Sequence, residues 1–144
     1  MTDTKRSAKS PVAPLTAPVE DYLKAIYAIQ QGGDAATTNA LAERLELAPA
    51  SVSGMVRRLA TQGLLEHEPY RGARLTAAGR IAALRTLRRH RVLESYLATV
   101  LGVPWDDVHA DAEQLEHAAS DALIDRMAHA RQVMGIVLDG LEAR

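Results

Sequence analysis

The chain has 144 residues, 47% of them apolar, yet it contains no Phe and a single Trp. Its core must therefore be Leu, Ala, Ile and Val, which suits packed helices better than a β-sandwich, and the absence of Cys excludes disulfides and thiolate metal sites. The net charge of -1 hides a division: nine arginines face two glutamates between Arg57 and Arg91, a net +7, and ten acids face three arginines from Glu94 to Arg144, a net -7. That pattern implies two partners, a polyanion for the basic region and a cation for the acidic one. No apolar run reaches membrane-spanning length and the N-terminus has no apolar signal segment, so a soluble cytoplasmic protein with no membrane partner is expected.

Residues 1–16 are polar, Pro-bearing and without period, and read as a disordered tail. A first helix should start near Ala17-Pro18, bury Val19, Leu23, Ile26 and Tyr27, and end before Gly32-Gly33. A second helix is expected over Thr38–Leu47 with Leu41, Ala42 and Leu45 inward. The segment Glu46–Ser51 breaks it, and Ser51 is placed to cap a third helix running from Val52 to about Gln62 with Val52, Met55, Val56 and Leu59 inward. Two short helices joined by a tight turn, the second opening on small residues and bearing arginines, read as a helix-turn-helix. Ala50, Ser51, Ser53 and Gly54 are small enough to approach base edges, and Arg57 and Arg58 suit phosphates.

After Gly63 the period changes: Leu64–Thr76 reads as two short strands around a turn at Tyr70-Arg-Gly72, a wing carrying Arg71 and Arg74. Thr76 should cap a long helix reaching about Leu101, which would link the basic and acidic regions mechanically. Leu101-Gly-Val-Pro104 is a break, followed by helices from Trp105 to about Ala118 and from Ser120 to about Ala130; residues 132–144 read as another short helix or a frayed end. Trp105, Leu123 and Ile124 exceed what so small a half can bury, which points to a homodimer interface. The fold class is thus mainly α: a winged helix-turn-helix domain over 17–76 with a small β-wing, then a helical metal-binding and dimerisation domain over 77–144.

The metal reading comes from His109–His117. Glu113, Glu116 and His117 stand at i, i+3 and i+4, with His109 one turn before Glu113, so all four lie along one helix face. A solvated acidic face would share that spacing, but His90 and Glu94 form a second i, i+4 pair, and a divalent cation is what such groups hold in common. Asp21, early in the first helix, is explained on its own by the helix dipole.

Taken in order, Glu20–Tyr27, Ser51-Val-Ser53, Tyr70–Thr76, His90 to Glu94 and Glu113–His117 resemble the diphtheria toxin repressor family of metal-activated transcriptional repressors, and within it the manganese-responsive transport regulators. The resemblance spans about Val19 to Met127. It implies a principal metal site at Asp21, Glu113, Glu116 and His117 and a second set at His90, Glu94 and His109. It also gives Asp21 a role, joining the first helix to the acidic helix through the ion. Iron-type members carry sulfur ligands where this chain has Asp21 and Glu113, and carboxylates favour Mn2+ over Fe2+. Lys24 departs from the Glu often found there in manganese-type members and argues against a closely spaced ion pair. The second set resembles an ancillary site that iron-type members complete from an SH3-like domain, for which 144 residues leave no room.

The implied function is a homodimeric, Mn2+-activated repressor that binds double-stranded operator DNA and controls metal homeostasis genes. The alternatives are an Fe2+- or Zn2+-responsive repressor of the same family, in which other divalent transition metals substitute, or a winged-helix regulator sensing a small organic ligand. An enzyme is not expected: Glu-x-x-Glu-His lacks the first His of the inverted zinc-protease motif, and no activated nucleophile is evident.

Overall fold

The computed structural model describes residues 15–68 and 71–142, with side chains described as far as Met134. The tail reading for 1–16 thus falls almost wholly outside the described residues, as does Tyr70 at the wing tip. The elements are α1 (Ala17–Gln31), α2 (Thr38–Leu45), α3 (Pro49–Thr61), β1 (Leu65–Glu68), β2 (Gly72–Leu75), α4 (Ala77–Thr99), α5 (Trp105–Glu116) and α6 (Asp121–Glu142).

α1 starts where a Pro in its first turn sacrifices no hydrogen bond, and it buries Val19, Tyr22, Leu23, Ala25 and Ile26. Thr37 caps α2, its side chain accepting from Ala40 N at 3.1 Å. α3 begins earlier than expected: Ala48 is its N-cap and Pro49 opens its first turn, so Ser51 lies inside the helix rather than capping it. Pro49 supplies the preset φ that makes a capping side chain dispensable. Val52, Val56 and Leu59 of α3 meet Leu41 and Ala42 of α2 and the apolar face of α1 in one core, which also takes Leu65 and Ala73 of the wing and Ala83 of α4.

β1 and β2 pair antiparallel, with Leu65 opposite Leu75, Glu66 opposite Arg74 and Glu68 opposite Gly72. The strands sit on the α1–α2 connection, where Ala73 N donates to Ala36 O at 2.9 Å. Thr76 closes the wing onto α4: its hydroxyl donates to Gly63 O at 2.7 Å and accepts from Gly79 N at 3.1 Å. Gly79 packs so tightly there that a Cβ would lie 2.0 Å from Leu64 O and 3.2 Å from a Leu75 methyl. Helix propensity alone favours Gly79→Ala by roughly 1 kcal/mol. The clash decides otherwise, because the obstacle is backbone and cannot swing aside. Gly79→Ala is expected to lose at least about 2 kcal/mol, read as a fall of several degrees in a thermal melt.

A second core, Leu93, Leu97, Val108, Ala112 and Ile124, joins α4, α5 and α6. α4 contributes to both cores, Ala83 to one and Leu93 and Leu97 to the other, so a single continuous helix links the two halves. Two expectations are corrected here. α6 runs unbroken from Asp121 to Glu142 instead of ending near Ala130, since no Pro interrupts that stretch and isolated glycines such as Gly135 are tolerated. Ile124 is fully buried in this core and cannot belong to a surface, whereas Trp105 is 77% exposed, and Leu101 and Leu123 are exposed as well.

Candidate metal centre and nucleic-acid interface

α5 places its groups by simple periodicity. Val108, Ala112 and Glu116 follow one another at i, i+4 and i+8 on the buried face, and His117 is the C-cap immediately beyond. Burying Glu116 completely requires partners for both carboxylate oxygens. Oε1 accepts from Lys24 Nζ at 2.5 Å, and Oε2 lies 2.5 Å from His90 Nδ1. Arg89 holds the same residue by its backbone: Nε and Nη2 donate to Glu116 O at 3.1 and 2.6 Å, Nη2 also to Ala119 O, and Nη1 to Asp121 Oδ1 at 2.6 Å. A guanidinium at a helix C-terminus satisfies carbonyls that lack intrahelical partners and complements the dipole.

Asp21, Glu113, Glu116 and His117 each bring a ligand atom within 4.8 Å of the others. His117 Nε2 lies 3.4 Å from Asp21 Oδ1 and 3.3 Å from Glu116 Oε1. Neighbouring ligands on a small octahedral ion with bonds of roughly 2.1 Å stand about 3 Å apart, so these separations need little adjustment. The donor set, three carboxylates and one imidazole, suits a hard to borderline divalent ion.

His90, His109 and Glu113 form a second such group. Glu94 joins it through Oε1, which lies 3.0 Å from His109 Nδ1 and also contacts His90 Nε2. The His90 and His109 rings meet edge to face with centroids 5.0 Å apart. Burial opposes ionisation of Glu94, but its hydrogen bonds and proximity to the two imidazoles outweigh that and hold its carboxyl below the usual glutamate value. Glu113 belongs to both groups, and His90 reaches Glu116, so the two sets read as separate in the sequence form one continuous cluster.

Two further residues belong to the cluster, Glu20 and Lys24, neither of them among the expected ligands. Glu20 Oε2 lies 3.0 Å from His117 Nδ1; a carboxylate there accepts a hydrogen bond from Nδ1–H, the tautomer that leaves the Nε2 lone pair facing Asp21 and Glu116. The adjacency of Glu20 and Asp21, about 100° apart on one helix turn, is the signal that could have found it. Lys24 stands amid the cluster, 15% exposed, with Asp21 Oδ1 at 3.7 Å and Glu113 Oε1 at 3.4 Å besides Glu116. Burial lowers its pKa, yet the three carboxylates prevail and raise it above the usual lysine value.

On the opposite half, Ala50, Ser51 and Gly54 are exposed and Ser53 half-buried along the outer side of α3, with Arg57 and Arg58 exposed one turn on. Arg74 is exposed on β2, and Arg71, 84% exposed, lies 3.9 Å from Glu68 at the wing. The basic run is divided in its use. Arg85 and Arg89 pair with Asp121, and Arg88 with Asp125 at 3.0 Å, so three of the nine arginines meet acids of α6, and Arg89, 13% exposed, is turned inward.

A winged helix-turn-helix joined through one long helix to an oxygen-rich cluster is the architecture of metal-dependent repressors. The chain belongs to the iron dependent repressor family. Residues 14–73 match its N-terminal DNA binding domain and residues 76–132 its metal binding and dimerisation domain. The chain is 38% identical over 108 residues to the iron-dependent repressor IdeR of Mycobacterium leprae (strain TN), covering 75% of this chain and 47% of that one. It is 37% identical over 119 residues to the HTH-type transcriptional regulator MntR of Lysinibacillus sphaericus (strain C3-41), covering 83% and 85%. A solved manganese-dependent transcriptional repressor in complex with manganese superposes with a TM-score of 0.73 at 43% identity, over 79% of this chain and 52% of that one. The chain thus spans about half the length of the iron-dependent relatives and most of the MntR relative.

Proposed function

We propose that this chain is a metal-activated repressor that binds operator DNA as a homodimer, with Mn2+ as the favoured ion. The observation that carries this reading is the meeting of Asp21, from the helix that underpins the helix-turn-helix, with Glu113, Glu116 and His117 of α5. An ion held by all four ties the DNA-binding half to the helical half, and His117 presents Nε2 to it because Glu20 holds Nδ1. When bound, the ion would supply a double positive charge to the three carboxylates, of which Glu116 is fully buried. His90, Glu94 and His109, with Glu113, are assigned to a second, more open position, His109 being 71% exposed. Three carboxylates favour Mn2+; an Fe2+- or Zn2+-responsive repressor is the alternative, and ligand hardness is what separates them.

The DNA-binding unit is assigned to residues 17–76 and the metal-binding and dimerisation unit to 77–144. Ala50, Ser51, Ser53 and Gly54 are assigned to base edges, and Arg57, Arg58, Arg71 and Arg74 to phosphates and the wing contact. Exposed Leu101, Trp105 and Leu123 supply the apolar surface of the dimer. The relatives are named as repressors and regulators, and the chain is read as a regulator, not an enzyme. Among the described residues no helix is long and apolar enough to cross a membrane, and a cytoplasmic location is proposed.

The test is binding to the upstream DNA of the chain's own coding region, followed by fluorescence anisotropy at fixed salt, in chelator and then with Mn2+, Fe2+ or Zn2+. Affinity is expected to rise by roughly 5- to 150-fold with the active ion and to fall steeply with added salt. Binding indifferent to chelator would remove the metal from the mechanism and favour a regulator of another kind.

A further inference from the structure

We propose that Lys24 is a tethered cation that occupies the candidate metal centre in the metal-free protein and is displaced when a divalent ion binds, so that it sets the metal concentration at which the protein responds. The inference rests on the reading of Asp21, Glu113, Glu116 and His117 as metal ligands. Its own ground is positional. Lys24 lies one helical turn beyond Asp21, and its ammonium is drawn in to 2.5 Å from Glu116 Oε1, 3.4 Å from Glu113 Oε1 and 3.7 Å from Asp21 Oδ1. Two of those oxygens, Asp21 Oδ1 and Glu116 Oε1, are also the ones that face His117 Nε2. The ammonium nitrogen therefore sits among the donor atoms themselves, not at the margin of the cluster.

A metal ion and an ammonium cannot both be nearest neighbours of the same oxygens, because two like charges at that range and low effective dielectric repel strongly. Glu116 makes the competition acute. It is fully buried, and its other oxygen is already engaged by His90, so a metal approaching from the Asp21 and His117 side must take the position that Lys24 holds. Without metal, Lys24 compensates the buried charge and clamps α1 to α5, in place of the ion. With metal, the clamp is exchanged and the side chain, long and flexible, moves out to water. The exchange lowers the apparent metal affinity without removing a ligand.

The chain has three lysines, Lys5, Lys9 and Lys24, so lysine labelling reads the exchange directly. Wild-type protein is treated with an amine-acylating reagent in chelator and in saturating Mn2+, and labelling at Lys24 is quantified by mass spectrometry against Lys5 and Lys9. Lys24 is expected to be protected in chelator and to become severalfold more reactive with Mn2+. In parallel, Lys24→Met is expected to bind Mn2+ roughly tenfold more tightly, to melt lower than wild type in chelator, and to gain more from added Mn2+. Lys24→Arg keeps the charge and is expected to stay near wild-type affinity. If Lys24→Met does not accumulate folded, Lys24→Gln replaces it, and the wild-type labelling still decides. Mn2+ that binds wild type without altering Lys24 reactivity, and binds Lys24→Met no more tightly, overturns the Lys24 inference alone. Wild type that binds none of Mn2+, Fe2+ and Zn2+ overturns the metal reading together with it.

Discussion

Glu116→Gln is expected to weaken Mn2+ binding by at least about a hundredfold and to reduce DNA binding in Mn2+ to the level seen in chelator. The residue is the centre of the cluster. Its two oxygens touch Lys24, His90 and His117, and none of it reaches solvent. The amide keeps the shape but loses the charge and one acceptor, so a metal there would have one carboxylate fewer, and Lys24 would lose its nearest partner. Removing one member of a buried charge pair costs on the order of 3 kcal/mol, so the variant should also melt lower in chelator. Calorimetric metal titration, anisotropy with operator DNA and a thermal melt separate these effects. Glu113→Gln provides the comparison: its side chain is 40% exposed, so water can replace the lost contact and the loss should be smaller. Undiminished metal-dependent DNA binding by Glu116→Gln would remove Asp21, Glu113, Glu116 and His117 from the activating site.

Local periodicity carried most of the fold into the sequence. The apolar spacing of α1 and α3, the Thr76 cap and the change of period after Gly63 each depend on neighbours within a few residues, and each of these elements is present, α3 with an earlier start. Boundaries were less legible: Ser51 resembled a cap because Ser is favoured at N-cap positions, but Pro49 two residues earlier had already set the helical φ. The grouping of Glu113, Glu116 and His117 was readable from i, i+3, i+4 spacing, and Asp21 entered only through family resemblance, since nothing local marks a partner more than ninety residues away. For the same reason the contacts of Lys24, Glu20 and Arg89 were not legible. Lys24 was legible as a charge but not as an occupant, and Arg89 was one of nine arginines ascribed to a polyanion. Its inward turn depends on α5 ending opposite α4, a tertiary fact. Charge counts along a chain cannot separate arginines that face solvent from those that close a helix end.

That distinction gives the second large effect. Arg89→Met is expected to destabilise the protein by about 2–4 kcal/mol and to weaken Mn2+ binding by roughly 10- to 100-fold, although Arg89 is no ligand. The guanidinium is only 13% exposed and bridges Glu116 O, Ala119 O and Asp121, thereby fixing the turn on which Glu116 and His117 sit. Methionine fills the volume of the stem but leaves those carbonyls without donors and frees the last turn of α5 to fray. Lysine should rescue only in part, because a single ammonium cannot reproduce the fork that spans two carbonyls and a carboxylate. Arg88→Met is the control on the same helix. Its pair with Asp125 is more than half exposed on both sides, and such pairs contribute about 0–1 kcal/mol. A melt and a Mn2+ titration of the two variants therefore compare burial at constant chemistry. Equal, small effects would mean that α5 holds its C-terminus without Arg89, and that the geometry of the cluster is set from α1 through Glu20 and Lys24 instead.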